Sequence, residues 1–117
     1  MDILYSSQRV EILFNNFGSL RKKYGEARAQ KIMLRQQQLS VAEHLLEFSN
    51  LPPSPRCHEL KKKGKRDRTG TFGISLDGSW RLIIEPCDDP LPLDGNGKLL
   101  WIRICAVRIL GAEDYHD

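Results

Sequence analysis

Residues 71–85 constrain the fold more than any other part of the chain. Phe72, Ile74 and Leu76 alternate with Thr71, Gly73 and Ser75, and Trp80, Leu82 and Ile84 alternate with Arg81, Ile83 and Glu85. This is the period of two strands with one buried face each, and Asp77-Gly78 between them signals a hairpin. A two-residue turn would pair Ile74 with Arg81 and mix core with charge. One more loop residue pairs Leu76 with Trp80, Ile74 with Leu82 and Phe72 with Ile84. Burial selects register, so the longer or bulged turn is expected.

The first half reads as helical. After a short strand over 3–5, Ser6 and Ser7 offer N-caps for a helix through about Phe14. Gly18 is expected to interrupt it. A second helical stretch spans about 19–38, with Leu20, Tyr24, Ala27 and Ile32 near one stripe and Gly25 kinking or splitting it. Ser40-Val41-Ala42-Glu43 matches a capping box. The helix it opens would run through Phe48 and bury Val41, Leu45 and Phe48 or their neighbours. Prolines at 52, 53 and 55 end it. Residues 101–110, apolar apart from Arg103 and Arg108, suit an interior strand, and a long loop over 86–98 precedes them. Helices followed by strands imply an α+β domain over 1–117, with N-terminal helices packed on one face of a small, mainly antiparallel sheet. Arg81 would stand with Ser75 and Gly73 on the opposite, open face.

The 117 residues suffice for one core, and the overall charge is only +3. The density of charge is local: 56–68 holds seven Lys/Arg residues against Glu59 and Asp67. A cationic run beside a sheet suggests a polyanionic partner, and His58 within it adds a group that exchanges protons near neutrality. Glu85, Asp88, Asp89 and Asp94 gather instead around the later loop. The three cysteines (57, 87 and 105) are odd in number and lack C-x-x-C spacing, which argues against a disulfide framework. Cys57 and His58 are poorly spaced for a zinc half-site, so neither metal nor cofactor is expected. No apolar stretch is long enough to span a bilayer, and Met1-Asp2-Ile3-Leu4-Tyr5 has no basic region before an apolar run. A cytoplasmic location is expected.

His58-Glu59-Leu60-Lys61, Arg68-Thr69-Gly70-Thr71-Phe72-Gly73-Ile74, Trp80-Arg81-Leu82-Ile83 and Glu113-Asp114-Tyr115-His116 together resemble the HigB branch of the RelE toxin superfamily. The likeness covers about 51–116. It implies a RelE-like fold and a ribosome-dependent endoribonuclease, or mRNA interferase, that cuts mRNA in the decoding site without a metal. It further implies mRNA on the ribosome and ribosomal RNA as partners, with neutralisation by a HigA-like helix-turn-helix antitoxin. DNA would be met only through that antitoxin. The family's catalytic positions fall on His58, Lys61, Arg81 and His116. Asp114 and Tyr115, with Arg56, Lys62, Lys63, Lys65, Arg66 and Arg68, would contact RNA. Lys62-Lys63-Gly64-Lys65 lengthens the loop relative to the family, and 86–98 is long as well.

Cutting RNA without a metal requires attack of a ribose 2′-hydroxyl on the adjacent phosphorus. It takes a base for that hydroxyl, cations for the pentacoordinate state and an acid for the departing 5′-oxygen. His58 and His116 suit the proton steps, while Arg81 and Lys61 suit charge stabilisation. The alternatives are a ParE-like toxin that poisons gyrase and a non-catalytic nucleic-acid-binding or corepressor module. Phe72 and Trp80 are expected in the core by register.

Overall fold

The computed structural model describes residues 1–60 and 70–115. Lys61, Lys62, Lys63, Lys65, Arg66, Arg68 and His116, all expected at the site, lie outside the described residues. The element order is β1 (Asp2–Tyr5), α1 (Gln8–Phe14), α2 (Phe17–Tyr24), α3 (Glu26–Val41), α4 (Leu45–Ser49), β2 (His58–Glu59), β3 (Phe72–Ser75), β4 (Trp80–Pro86) and β5 (Ala106–Asp114). A short 3₁₀ turn, Trp101–Arg103, precedes β5. The five strands form one sheet in the order β1-β5-β4-β3-β2. All pairings are antiparallel except β1 with β5. The architecture is therefore α+β, with the helices in the N-terminal half and most of the sheet in the C-terminal half.

The hairpin adopts the register that burial selects. Phe72 pairs with Ile84, Ile74 with Leu82 and Ser75 with Arg81, and the Leu76 amide donates to the Trp80 carbonyl. Phe72, Ile74, Leu82 and Ile84 are fully buried against Phe14, Leu20, Ile32, Leu39, Leu45 and Phe48 of the helices. Each such side chain contributes roughly 1.5–3 kcal/mol by leaving water. Trp80 completes the edge of this layer, edge-on to Tyr24 with centroids 5.8 Å apart. The Arg28 guanidinium lies 4.1 Å above its ring. The same guanidinium grips Asp77 at 2.8 and 3.0 Å, which fastens the hairpin turn to α3.

Helix boundaries differ from expectation where a side chain outranks a glycine. Ser7 caps α1 through its bond from the Val10 amide, as its position suggests. Gly18, however, lies inside α2. The break falls at Asn15 and Asn16, where Asn16 Oδ1 accepts from the Ser19 amide at 2.9 Å and so starts a new helix. Gly25 does split the next stretch, at φ 89°. Ser40 does not open α4. It lies in the last turn of α3, with its hydroxyl donating to the Gln37 carbonyl, and Val41, the final residue of that helix, is 64 % exposed. The cap is His44, whose Nδ1 accepts from the Glu47 amide, while the Glu47 carboxylate accepts from the Glu43 amide. Reciprocal capping thus occurs four residues later than the serine pattern indicates.

The last strand also starts later and runs further than 101–110. Trp101 turns instead to meet Phe72 edge-on, with centroids 5.1 Å apart. The Asp88 carboxylate then takes the amides of Cys105 and Ala106 at the mouth of β5. Beyond Ile109 the ladder slips by one residue. Ile84 faces Ile109, but Ile83 faces Gly111, whose φ of 152° favours glycine. Leu110 is the extra residue and packs on the far side of the sheet with Leu60, Ile83 and Tyr115. That face is not bare, as expected, but carries this small apolar cluster.

Candidate functional site

The far face brings His58 and Arg81 to the same side. His58 stands directly opposite Gly73, and Arg81 directly opposite Ser75. Opposed residues in an antiparallel ladder share a face, and Gly73 and Ser75 are two apart on one strand. Strand spacing and rise place the His58 and Arg81 Cα atoms about 12 Å apart. Between them Gly73 contributes no side chain. The stem of Arg81 runs beside it, 3.8 Å from where a Cβ would be. The imidazole and the guanidinium are thus the two rims of a saddle whose floor is Leu60, packed over Gly73.

Local hydrogen bonds orient both groups. His58 is exposed, and its Nδ1 donates to the Arg56 carbonyl at 3.1 Å, since a carbonyl can only accept. In the neutral ring the lone pair is therefore on Nε2, directed away from the backbone. Arg56 holds its carbonyl there through a left-handed conformation, φ 48°. Arg81 Nη1 donates to the carbonyls of Gly78 and Trp80, at 2.8 and 2.9 Å, and so bends over its own turn. A bridge from Arg81 to Glu85 is not formed. Glu85 pairs with Arg108 at 2.7 Å, and that partnership raises the basicity of the guanidinium further.

The C-terminal segment closes the saddle on the β5 side. Glu113 pairs directly with Arg81, and Asp114 with Trp80. Asp114 thus lies level with the core-facing tryptophan and accepts from the Ser79 hydroxyl. Tyr115 is buried with Leu60 and Ile83, and its amide donates to the Ser79 carbonyl at 2.9 Å. Glu113 belongs to the site by geometry, although spacing alone did not single it out. The one-residue slip at Leu110 turns it toward Arg81, and Gly111 was the only signal of that slip in the sequence.

Cys57 precedes His58 but packs against the core, and burial pushes its thiol up to about 12. A group held protonated to that degree is a poor nucleophile or metal ligand. Among the described residues, no three His, Cys, Asp or Glu side chains gather closely enough to hold a metal ion. The acids around the long loop serve the backbone: Asp94 accepts from the amides of Asn96 and Lys98, as Asp88 does at β5.

Two hollows of about 660 Å³ each are lined by neither His58 nor Arg81. One runs between β1 and α3 over Phe14, Phe17 and Met33, and the other lies under Leu91, Leu93 and Trp101. No described helix is long and apolar enough to cross a membrane. No family model matches the sequence, and no curated protein matches it.

Proposed function

We propose that this chain is a metal-independent endoribonuclease of the HigB type, the toxin of a type II toxin–antitoxin pair that cuts mRNA on the ribosome. The observation that carries this reading is the placement of His58 and Arg81 on one exposed face, either side of Gly73. The two described residues among the four expected to carry the chemistry are distant along the chain and share that face, which supports the reading.

The chemistry follows from the two rims. With Nδ1 engaged by the Arg56 carbonyl, Nε2 of His58 takes a proton from the 2′-hydroxyl, or returns one to the departing 5′-oxygen. Bond formation from the 2′-oxygen to phosphorus and loss of the 5′-oxygen leave a 2′,3′-cyclic phosphate. Arg81 has Nη1 committed to its turn, which fixes the plane of the fork, and its remaining N–H donors serve the phosphoryl oxygens. Lys61 and His116 supply a second cation and a second proton-transfer group, as the resemblance implies. Arg56 and the lysines of 61–66 hold the RNA backbone by charge. The antitoxin, of helix-turn-helix type, neutralises the protein.

Induced expression in bacteria tests this reading, with 5′ ends of transcripts mapped after induction. Cuts confined to translated message are expected. His58→Gln, Arg81→Gln and His116→Gln should each lower cutting by roughly 10²-fold. A DNA-damage response with intact message would replace this reading by gyrase poisoning, and little growth defect would replace it by a binding module.

A further inference from the structure

Arg35 of α3 is 3 % exposed and lies under the sheet, away from the saddle. Four hydrogen bonds leave its guanidinium: Nε to the Ser75 carbonyl at 2.8 Å, Nη1 to Gln38 Oε1 and to the Pro53 carbonyl at 2.9 Å, and Nη2 to the Ser54 carbonyl at 3.2 Å. Gln38 doubles the hold on the same turn, donating to the carbonyls of Pro52 and Pro53 at 3.1 Å. Among the described residues no carboxylate pairs with Arg35. A buried cation without a counter-ion is a costly way to gain stability, since an apolar side chain of similar volume often serves as well. What a guanidinium offers here is direction, because its planar fork fixes several acceptors at set angles.

Those backbone acceptors belong to the end of β3 and to the turn before His58, the two segments next to the rims. Ser75 is the residue opposite Arg81, and its amide in turn donates to the Pro55 carbonyl at 2.8 Å. Ser54, one of the carbonyls held by Arg35, also accepts the Arg56 amide through its hydroxyl. Arg56 then holds the imidazole of His58. One buried group therefore ties β3, the strand between the two rims, to the turn that orients His58.

We infer that Arg35 is the positioning residue of the far-face site, fixing the turn before His58 and the end of β3 as one rigid unit. The inference rests on the reading of that face as the site of RNA cleavage. Arg35→Lys tests it. Lysine keeps the charge, but its single compact ammonium cannot span acceptors on Ser75, Pro53 and Ser54 together. Gln38→Leu is the second variant and removes the parallel hold while leaving the buried cation in place.

Two measurements are made on folded variants. Long-range ¹H–¹⁵N spectra of the His58 ring report whether Nδ1 still carries the proton given to the Arg56 carbonyl. Single-turnover cutting of ribosome-bound message reports chemistry. Expected for Arg35→Lys are a mixed ring tautomer and a roughly 10- to 100-fold fall in the saturating single-turnover rate constant with half-saturation little changed, because a displacement of about 1 Å costs that much in rate. Gln38→Leu should move both readouts in the same direction by less. An unchanged His58 spectrum in both variants overturns the inference. If the unaltered protein cuts no translated message, the functional reading fails. The ring spectra then still decide whether Arg35 sets the geometry.

Discussion

Leu60 lies so close over Gly73 that a Cβ added there would sit 3.0 Å from Leu60 Cδ2. Gly73 is not in a left-handed conformation, so the requirement for glycine is one of space. Leu60 is itself buried with Ile83 and Tyr115 and has little room to yield. Gly73→Val should therefore destabilise by about 1–3 kcal/mol through overpacking. It should also crowd the stem of Arg81. Urea unfolding measures the first effect, and a stability equal to that of the parent would show that Leu60 can move aside.

The cap of α4 gives a paired test. His44→Ala removes the acceptor for the Glu47 amide and should cost about 1 kcal/mol. Ser40→Ala, at the position where the sequence pattern placed the cap, should stay within about 0.5 kcal/mol, since its hydroxyl only bonds back within α3. Thermal unfolding of the two variants side by side decides it, and a larger loss at Ser40 would reassign the cap.

Arg28 serves two partners, and its removal should show both. Arg28→Met should cost about 1–2 kcal/mol, combining the contact over Trp80 with the two-point grip on Asp77. The pair is partly exposed, so a double-mutant cycle with Asp77→Ala should give a coupling of only about 0.5–1 kcal/mol, weakening with salt. Coupling indistinguishable from zero would assign Arg28 to the aromatic contact alone.

The three thiols should differ sharply in behaviour. Cys105 is exposed and should react first with a maleimide, while Cys57 should resist until the chain unfolds. The Cys57 thiol is raised from 9.0 to about 12, so the folded state holds its proton where the unfolded state has lost it. Its contribution to stability is complete below pH 9 and falls away as pH rises toward 12. Denaturant midpoints measured between pH 8 and 11 should fall with pH, and less steeply in Cys57→Ala. An equal slope in both would mean that other groups, Cys87 among them, carry the alkaline loss.

The hairpin was legible because only one register keeps Phe72, Ile74, Leu82 and Ile84 on one face, and its turn length followed from that. The orientation of Arg81 came with it. The strand at His58 was not legible. Two residues leave no period to read, and only pairing with Gly73 makes them a strand. The helix starts at Asn16 and His44 were missed because a glycine and a serine pattern looked stronger locally than a single side-chain acceptor. The slip at Leu110 escaped for another reason. It depends on whether β5 can bury Ile109 and Ala112 on the same side, which only the assembled sheet decides. Glu113 was lost from the site with it. Nothing near Arg35 in the chain announces that carbonyls from 53, 54 and 75 will surround it.

β5 is the last of the described strands yet occupies the interior of the sheet, joined to β1 on one side and β4 on the other. A polypeptide cut short before Ala106 would leave the opening strand with no neighbour and β4 as a raw margin, so this architecture has no stable half-built form. The sheet cannot close until Ala106–Asp114 is present, and joining so wide a span makes folding slow relative to a helical bundle of equal size.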